Sequence, residues 1–132
     1  ESMIVKEEDL MFEETVGRLH YWHYHPETMA GAQSYMVKGV VPEGMGHDFH
    51  RHPNMHEILY ILKGRAEQWI EDEMQYLEVG DSIYIDKDVV HGTFNAGKGD
   101  LEFLAVLSPP EGWEAGTLDV SQQEPYASYR KK

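Results

Sequence analysis

Residues 44–64 read GMGHDFHRHPNMHEILYILKG, and the spacing inside this stretch decides the reading of the chain. Gly44 is followed after five residues by His50, after one more by His52, after four by Glu57 and after six by Gly64. Residues two apart on a β-strand face the same way, so His50 and His52 present two imidazoles on one face, close enough to share an ion. A third ligand must come from the same hairpin, and two residues compete for the place. His56 keeps the even spacing of a strand from His52. Glu57 joins only if the chain changes phase between them, and Pro53-Asn54 offers the break, since Pro interrupts strand pairing and Asn favours turns. Local physics leaves His56 and Glu57 both open.

A second stretch, residues 80–95, reads GDSIYIDKDVVHGTFN. Its His91 opens another expected strand and can bring a ligand from a different part of the fold. Three neutral imidazoles and one carboxylate suit Mn, Fe, Ni, Cu or Zn better than Ca or Mg, which prefer all-oxygen shells.

Outward from these two stretches the chain shows short runs rich in Val, Ile, Tyr, Trp and Leu, with no long helical period. Strands are expected at 19–25, 33–41, 57–62, 65–70, 74–79, 82–85, 92–95 and 101–107, separated by Gly, Pro, Asp and Asn. Many short, evenly spaced strands predict an all-β sandwich or closed barrel, and closure removes exposed sheet edges. After Pro109-Pro110 the periodicity is lost, and the tail reads as an irregular strap ending in Arg130-Lys131-Lys132.

Both stretches resemble the two signature motifs of the cupin superfamily. The first matches at Gly44, His50, His52, Glu57 and Gly64, and by register to Gly64 the resemblance places Glu57, not His56, as the carboxylate ligand. The second keeps Gly80, His91 and Asn95, but has Asp86 and Asp88 where the family usually has Pro and Gly. The resemblance implies a single domain over residues 1–132: a double-stranded β-helix (jelly-roll) core at about 33–109, N-terminal strands within 1–32 and a strap over 110–132. It implies one divalent transition metal on His50, His52, Glu57 and His91, with one or two coordination positions open inside the barrel. Among cupins the spacing looks most like the small quercetin dioxygenase-like proteins; Glu57 could then leave the metal and act as a base if its pKa is raised. A lyase, decarboxylase or isomerase on the same scaffold, or a non-catalytic ligand-binding barrel, uses the same motif equally well.

Other residues are weighed against ordinary packing. Tyr35, Phe94 and Phe103 fall in expected strands and are candidates for the pocket wall. His47 is expected in a loop or behind the ligands. His23 and His25 in the run HYWHYH (20–25) share a strand face and suggest a second metal site, but aromatic packing of an amphipathic strand accounts for the same pattern.

The chain has 132 residues, no Cys and a formal charge of −13. Thiolate metal sites and disulfides are therefore excluded, and phosphate backbones and anionic membranes should be repelled. The expected partner is a small molecule, not a nucleic acid or a membrane, and the expected location is the cytoplasm. A homodimer is also expected, with the strand at 19–25 covering or extending a partner's sheet edge.

Overall fold

The computed structural model describes residues 3–130; Glu1, Ser2 and the last two basic residues of the strap, Lys131 and Lys132, lie outside the described residues. The chain forms strands β1 (Met11–Thr15), β2 (Arg18–Tyr24), β3 (Tyr35–Val41), β4 (Gly46–Arg51), β5 (His56–Lys63), β6 (Ala66–Ile70), β7 (Glu73–Leu77), β8 (Ser82–Ile85), β9 (His91–Asn95), β10 (Leu101–Ser108) and β11 (Leu118–Asp119). One helical turn, α1 (Tyr126–Tyr129), follows. The strands make two antiparallel sheets, in the orders β1-β2-β3-β10-β5-β8 and β11-β4-β9-β6-β7. This is the all-β jelly roll that the motif resemblance implies. Each sheet keeps two edge strands, so the edges are left uncovered by closure and are set at β1, β8, β11 and β7. Among the described residues no helix is long and apolar enough to cross a membrane.

Three strands were missing from the sequence reading, the third being the two-residue β11. β1 (MFEET) is short and carries two acids, and β4 (GHDFHR) is polar at four of six positions, so neither shows the apolar alternation of a strand. The expected strand at 19–25 lies between β1 and β3. It therefore has no free edge to extend a partner's sheet, contrary to the expectation; β1 holds that edge.

The interior between the sheets is apolar at one end, where Val37, Leu59, Ile61, Phe103 and Ala105 form part of one buried cluster. Phe103 stands opposite Gly39 on the neighbouring strand, and a Cβ at Gly39 would lie 2.4 Å from the Phe103 ring. The missing side chain is what lets that ring lie inward. A second cluster, Phe49, Phe94, Val90 and Val120, lies on the other face of the five-stranded sheet, where Trp69, Tyr126 and Tyr129 pack against it. The strap is thus partly ordered structure. Its α1 seals the back of β4, and the Val120 N–H donates to the Phe49 carbonyl at 3.0 Å.

Candidate metal centre

His50 ends its strand facing the interior while Phe49 faces the opposite cluster, as alternation requires. Beyond Arg51 the backbone leaves the strand and turns at Pro53-Asn54 before β5 begins at His56. That turn makes the phase change. Glu57 is buried and directed inward, whereas His56 is on the outer face, its Nε2 2.7 Å from the Ser108 hydroxyl and its ring near Tyr84. The competition between Glu57 and His56 is thereby resolved by position: only Glu57 joins the imidazoles.

His91 starts β9 and is paired with His50 across the sheet. One donor atom each from His50, His52, Glu57 and His91 lies within 4.8 Å of the others, and all four residues are buried. A first-row ion bound at about 2.0–2.2 Å to each donor would separate them by at most about 4.4 Å, so the cluster closes on such an ion with shifts of a few tenths of an ångström.

The imidazoles are aimed by their other nitrogens. A carbonyl can only accept, so His50 Nδ1 donates to Asp48 O (2.7 Å) and His91 Nδ1 donates to Val89 O (3.0 Å). In the neutral ring this leaves Nε2 with a lone pair directed at the centre. His52 Nδ1 lies 3.2 Å from the Thr117 hydroxyl, and its Nε2 also faces inward. Glu57 Oε1 sits 3.1 Å from His91 Nε2 and 3.2 Å from His52 Nε2. Electron-rich atoms converging at these distances require a proton or a cation between them. The donor set fits a transition ion, with nitrogen donors that Ca and Mg avoid and no sulfur.

Burial on its own would push the Glu57 carboxyl up; its contacts with His52 and His91 outweigh this and hold it well below the ordinary carboxylate range. Burial holds His50 well below the usual imidazole value, and the neighbouring His47, His91 and His52 add to it. His47 is lowered in the same way by burial and by Arg18. Groups depressed in the fold bind fewer protons than in the unfolded chain, so their contribution to stability is complete above the unfolded values and is lost on acidification. For His47 and His50 the loss begins below about pH 6.5, and Glu57 adds to it below about pH 4.5. The metal-free chain should therefore be less stable at pH 5.5 than at pH 7.5 by about 2 kcal/mol, read as a fall in the urea midpoint at constant slope. A midpoint that stays level or rises towards pH 5.5 would contradict this.

The cluster opens onto a cavity of about 360 Å³. Phe103 lines it, as expected, but the other two candidate wall residues do not. Phe94 packs on Phe49 behind the five-stranded sheet, with the Arg130 guanidinium 3.7 Å from its ring centroid. With His91 inward, alternation along β9 turns Thr93 inward and Phe94 out. Tyr35 is buried at the start of β3 against Trp113 and does not line the cavity.

His47 is at the site rather than in a loop. Three residues of β4 step against two of β9 between the pairs His47–Thr93 and His50–His91, and this bulge turns His47 to the same side as His50. The two rings stack at 3.5 Å. From the strap come Trp113 and Thr117, which no sequence pattern pointed to. In the HYWHYH run, His25 packs edge-on against Trp22 and Trp113, and the run joins no metal-ligand group among the described residues. Aromatic packing sets that run in place, and His20, Trp22 and His25 line the cavity.

The cupin domain family matches residues 36–107, more than half of the chain, and the chain belongs to it. An uncharacterized protein of Methanocaldococcus jannaschii is 32% identical over 90 residues, covering 68% of this chain and 72% of that protein. An oxalate-binding protein of Thermotoga maritima is 31% identical over 81 residues, 61% of this chain and 67% of that protein. Among solved structures, a Klebsiella pneumoniae protein with a double-stranded β-helix domain superposes with a TM-score of 0.68 at 21% identity, over 89% of this chain and 96% of that one.

Proposed function

We propose that this cupin is a metal-dependent enzyme that holds one divalent transition ion (Mn, Fe, Ni, Cu or Zn) on His50, His52, Glu57 and His91 and converts a small organic molecule by dioxygenase-type chemistry. The observation that supports it is the position of the four donors: they are buried, yet they line a cavity. A structural site is closed by protein on every side, whereas a site facing a cavity leaves room for substrate beside the ligands.

When bound, such an ion supplies Lewis-acid polarisation of a substrate oxygen. The remaining work falls to the chain. The Asp48 and Val89 carbonyls fix the two imidazoles in one tautomer and one orientation. Leu59, Phe103 and Leu107 give the cavity an apolar part against which a substrate's apolar portion can lie. Glu57 lines the cavity as a carboxylate at neutral pH; to accept a proton from substrate it must first leave the contacts with His52 and His91 that hold its carboxyl low.

Oxygen consumption by metal-loaded protein offered flavonols and β-diketones tests this reading; uptake stoichiometric with substrate loss supports it. The oxalate-binding relative favours a second reading, in which a small acid is bound, or is cleaved without oxygen. Substrate loss with no oxygen uptake, or tight binding with no turnover, would replace the first reading by the second.

We also propose a homodimer. Ile58 (42% exposed) and Tyr84 (56%) are paired across β5 and β8 on the outer face of the six-stranded sheet, with Tyr60 beside them. A self-complementary apolar face of this kind suits a twofold contact. Sedimentation should show about twice the 15.2 kDa chain mass at micromolar concentration, and Tyr84→Glu should shift it to monomer. A parent chain sedimenting as monomer removes the proposal.

A further inference from the structure

The metal-ligand set leaves one charged side chain in the cavity without a task. Arg18 opens β2 directly after a two-residue turn, Val16-Gly17. Gly17 has φ +81°, and a Cβ there would lie 2.1 Å from the Gly46 carbonyl oxygen, so the hairpin tip is pressed against the start of β4. Only glycine permits both the left-handed backbone and this approach. The consequence is that the next residue, Arg18, enters the barrel from the six-stranded sheet, facing the side that carries His47 and His50.

One guanidinium nitrogen, Nη1, donates to the Val16 carbonyl at 2.8 Å. Nε is buried without a hydrogen-bond partner, the one such side-chain atom among the described residues. No ion pair within 4 Å neutralises the guanidinium: Glu13, the nearest acid on the adjacent strand, spends Oε1 on His20 and Trp22. The guanidinium is half-buried, and its buried Nε–H left unmatched is costly unless an anion meets it. The rest of the lining is divided. Thr15, His20, His47 and Thr93 are polar, while Trp22, on the same face of β2 as Arg18, joins Leu59, Phe103, Leu107 and Trp113 in an aromatic and aliphatic part.

We propose that Arg18 is the specificity-determining residue of this cavity and selects an organic acid with an apolar body, its carboxylate held between the guanidinium and the metal centre and its apolar part against the Trp22–Trp113 wall. This rests on the metal reading above and narrows its substrate class. The charges agree. A divalent ion, the Glu57 and Glu13 carboxylates and Arg18 together leave the cavity with one net positive charge inside a chain of charge −13, and one carboxylate restores balance. Arg18 also lies within electrostatic reach of Glu57, so one carboxylate can be met by the guanidinium and by the centre on Glu57 together. A bare dicarboxylate such as oxalate would satisfy the polar half and leave the apolar wall unused.

Trp22 and Trp113 provide the readout, since both line the cavity. Protein loaded with Zn²⁺ is titrated with phenylacetate, hexanoate and oxalate, and with phenylacetamide and hexanamide, following tryptophan fluorescence and calorimetry. Metal content is measured on the same samples. The expected result is that phenylacetate or hexanoate binds at least tenfold more tightly than its amide and than oxalate. Arg18→Gln should abolish the preference for acid over amide without changing Zn²⁺ content, and Arg18→Lys should recover part of it, because a point charge replaces the guanidinium fork. Oxalate binding more tightly than both larger acids, no preference of the parent chain for acid over amide, or Arg18→Gln keeping the preference overturns the inference. The parent-chain comparison stands even if a variant fails to fold. Failure to bind Zn²⁺ at all overturns the metal reading, whereas Zn²⁺ bound with no acid preference overturns Arg18 alone.

Discussion

His52→Ala should retain less than a tenth of the metal bound by the parent chain and should unfold about 10 °C lower when both are measured with added ion. His52 is the least redundant of the three imidazoles. It lies past the end of β4, its ring nitrogens meeting the Thr117 hydroxyl on one side and Glu57 on the other, and unlike His50 it has no further imidazole stacked on it to take its place. The thermal effect follows from mass action. An ion that binds only the folded chain at a hundred times its dissociation constant stabilises it by about 2.7 kcal/mol. A domain of this size shifts by about 3–6 °C per kcal/mol, which gives the figure above. The comparison that isolates the ion is made without it: metal-free parent and metal-free His52→Ala should unfold within a few degrees of each other, since the lost ring faces the cavity and leaves no sealed void. Elemental analysis and differential scanning calorimetry make both measurements. Unchanged metal content in the variant would remove the assigned site.

Much of this centre was legible because the motif encodes geometry directly. His50 and His52 stand two apart, and two-residue periodicity alone turns both rings to one side. His91 needed no more than a strand start on another element. What the pattern could not show is where periodicity is broken. His47 is three residues from His50, an odd spacing that places it on the far face of a regular strand, and only the bulge against β9 brings it into the stack. Bulges depend on the partner strand's register, which no local pattern of β4 records. Thr117 and Trp113 sit on the strap, where turns and a two-residue strand follow no period, yet Thr117 anchors a ligand and Trp113 closes the cavity. The strap is tied to the site through Gly112, where a Cβ would lie 2.2 Å from the Asn54 carbonyl oxygen, against the turn that shifts the phase between His52 and Glu57. Phe94 is a different case. Once His91 is taken as inward, alternation already sends Phe94 out, so its place behind the sheet was readable and the pocket assignment was inconsistent with the ligand assignment. β1 and Arg18 were hidden for a third reason: a five-residue edge strand with two acids resembles a solvated turn, and the inward direction of Arg18 comes from the hairpin pressing on Gly46.

Glu57→Gln against His56→Ala is the sharpest comparison the site allows, because the two residues are adjacent and face opposite ways. Glu57→Gln preserves size and leaves a neutral oxygen donor, so metal affinity should fall by about 100-fold or more, beyond the 10- to 100-fold typical of losing a group that merely supports a ligand. Three effects act together. The amide oxygen is a weaker donor; the charge that offsets part of the ion's own is gone; and the amide nitrogen competes for the centre, presenting N–H groups where His52 and His91 direct Nε2. His56→Ala should leave affinity within about twofold. Its expected effect is on stability, about 1 kcal/mol, through loss of the Nε2 contact to the Ser108 hydroxyl, its cross-strand partner on β10. Isothermal titration with Zn²⁺ gives the affinities, and urea unfolding of the metal-free chains gives the stabilities. The opposite outcome, metal lost from His56→Ala and kept by Glu57→Gln, would mean that strand phase runs unbroken from His52 through Pro53-Asn54, and the turn that carries Glu57 into the barrel would have to be abandoned with it.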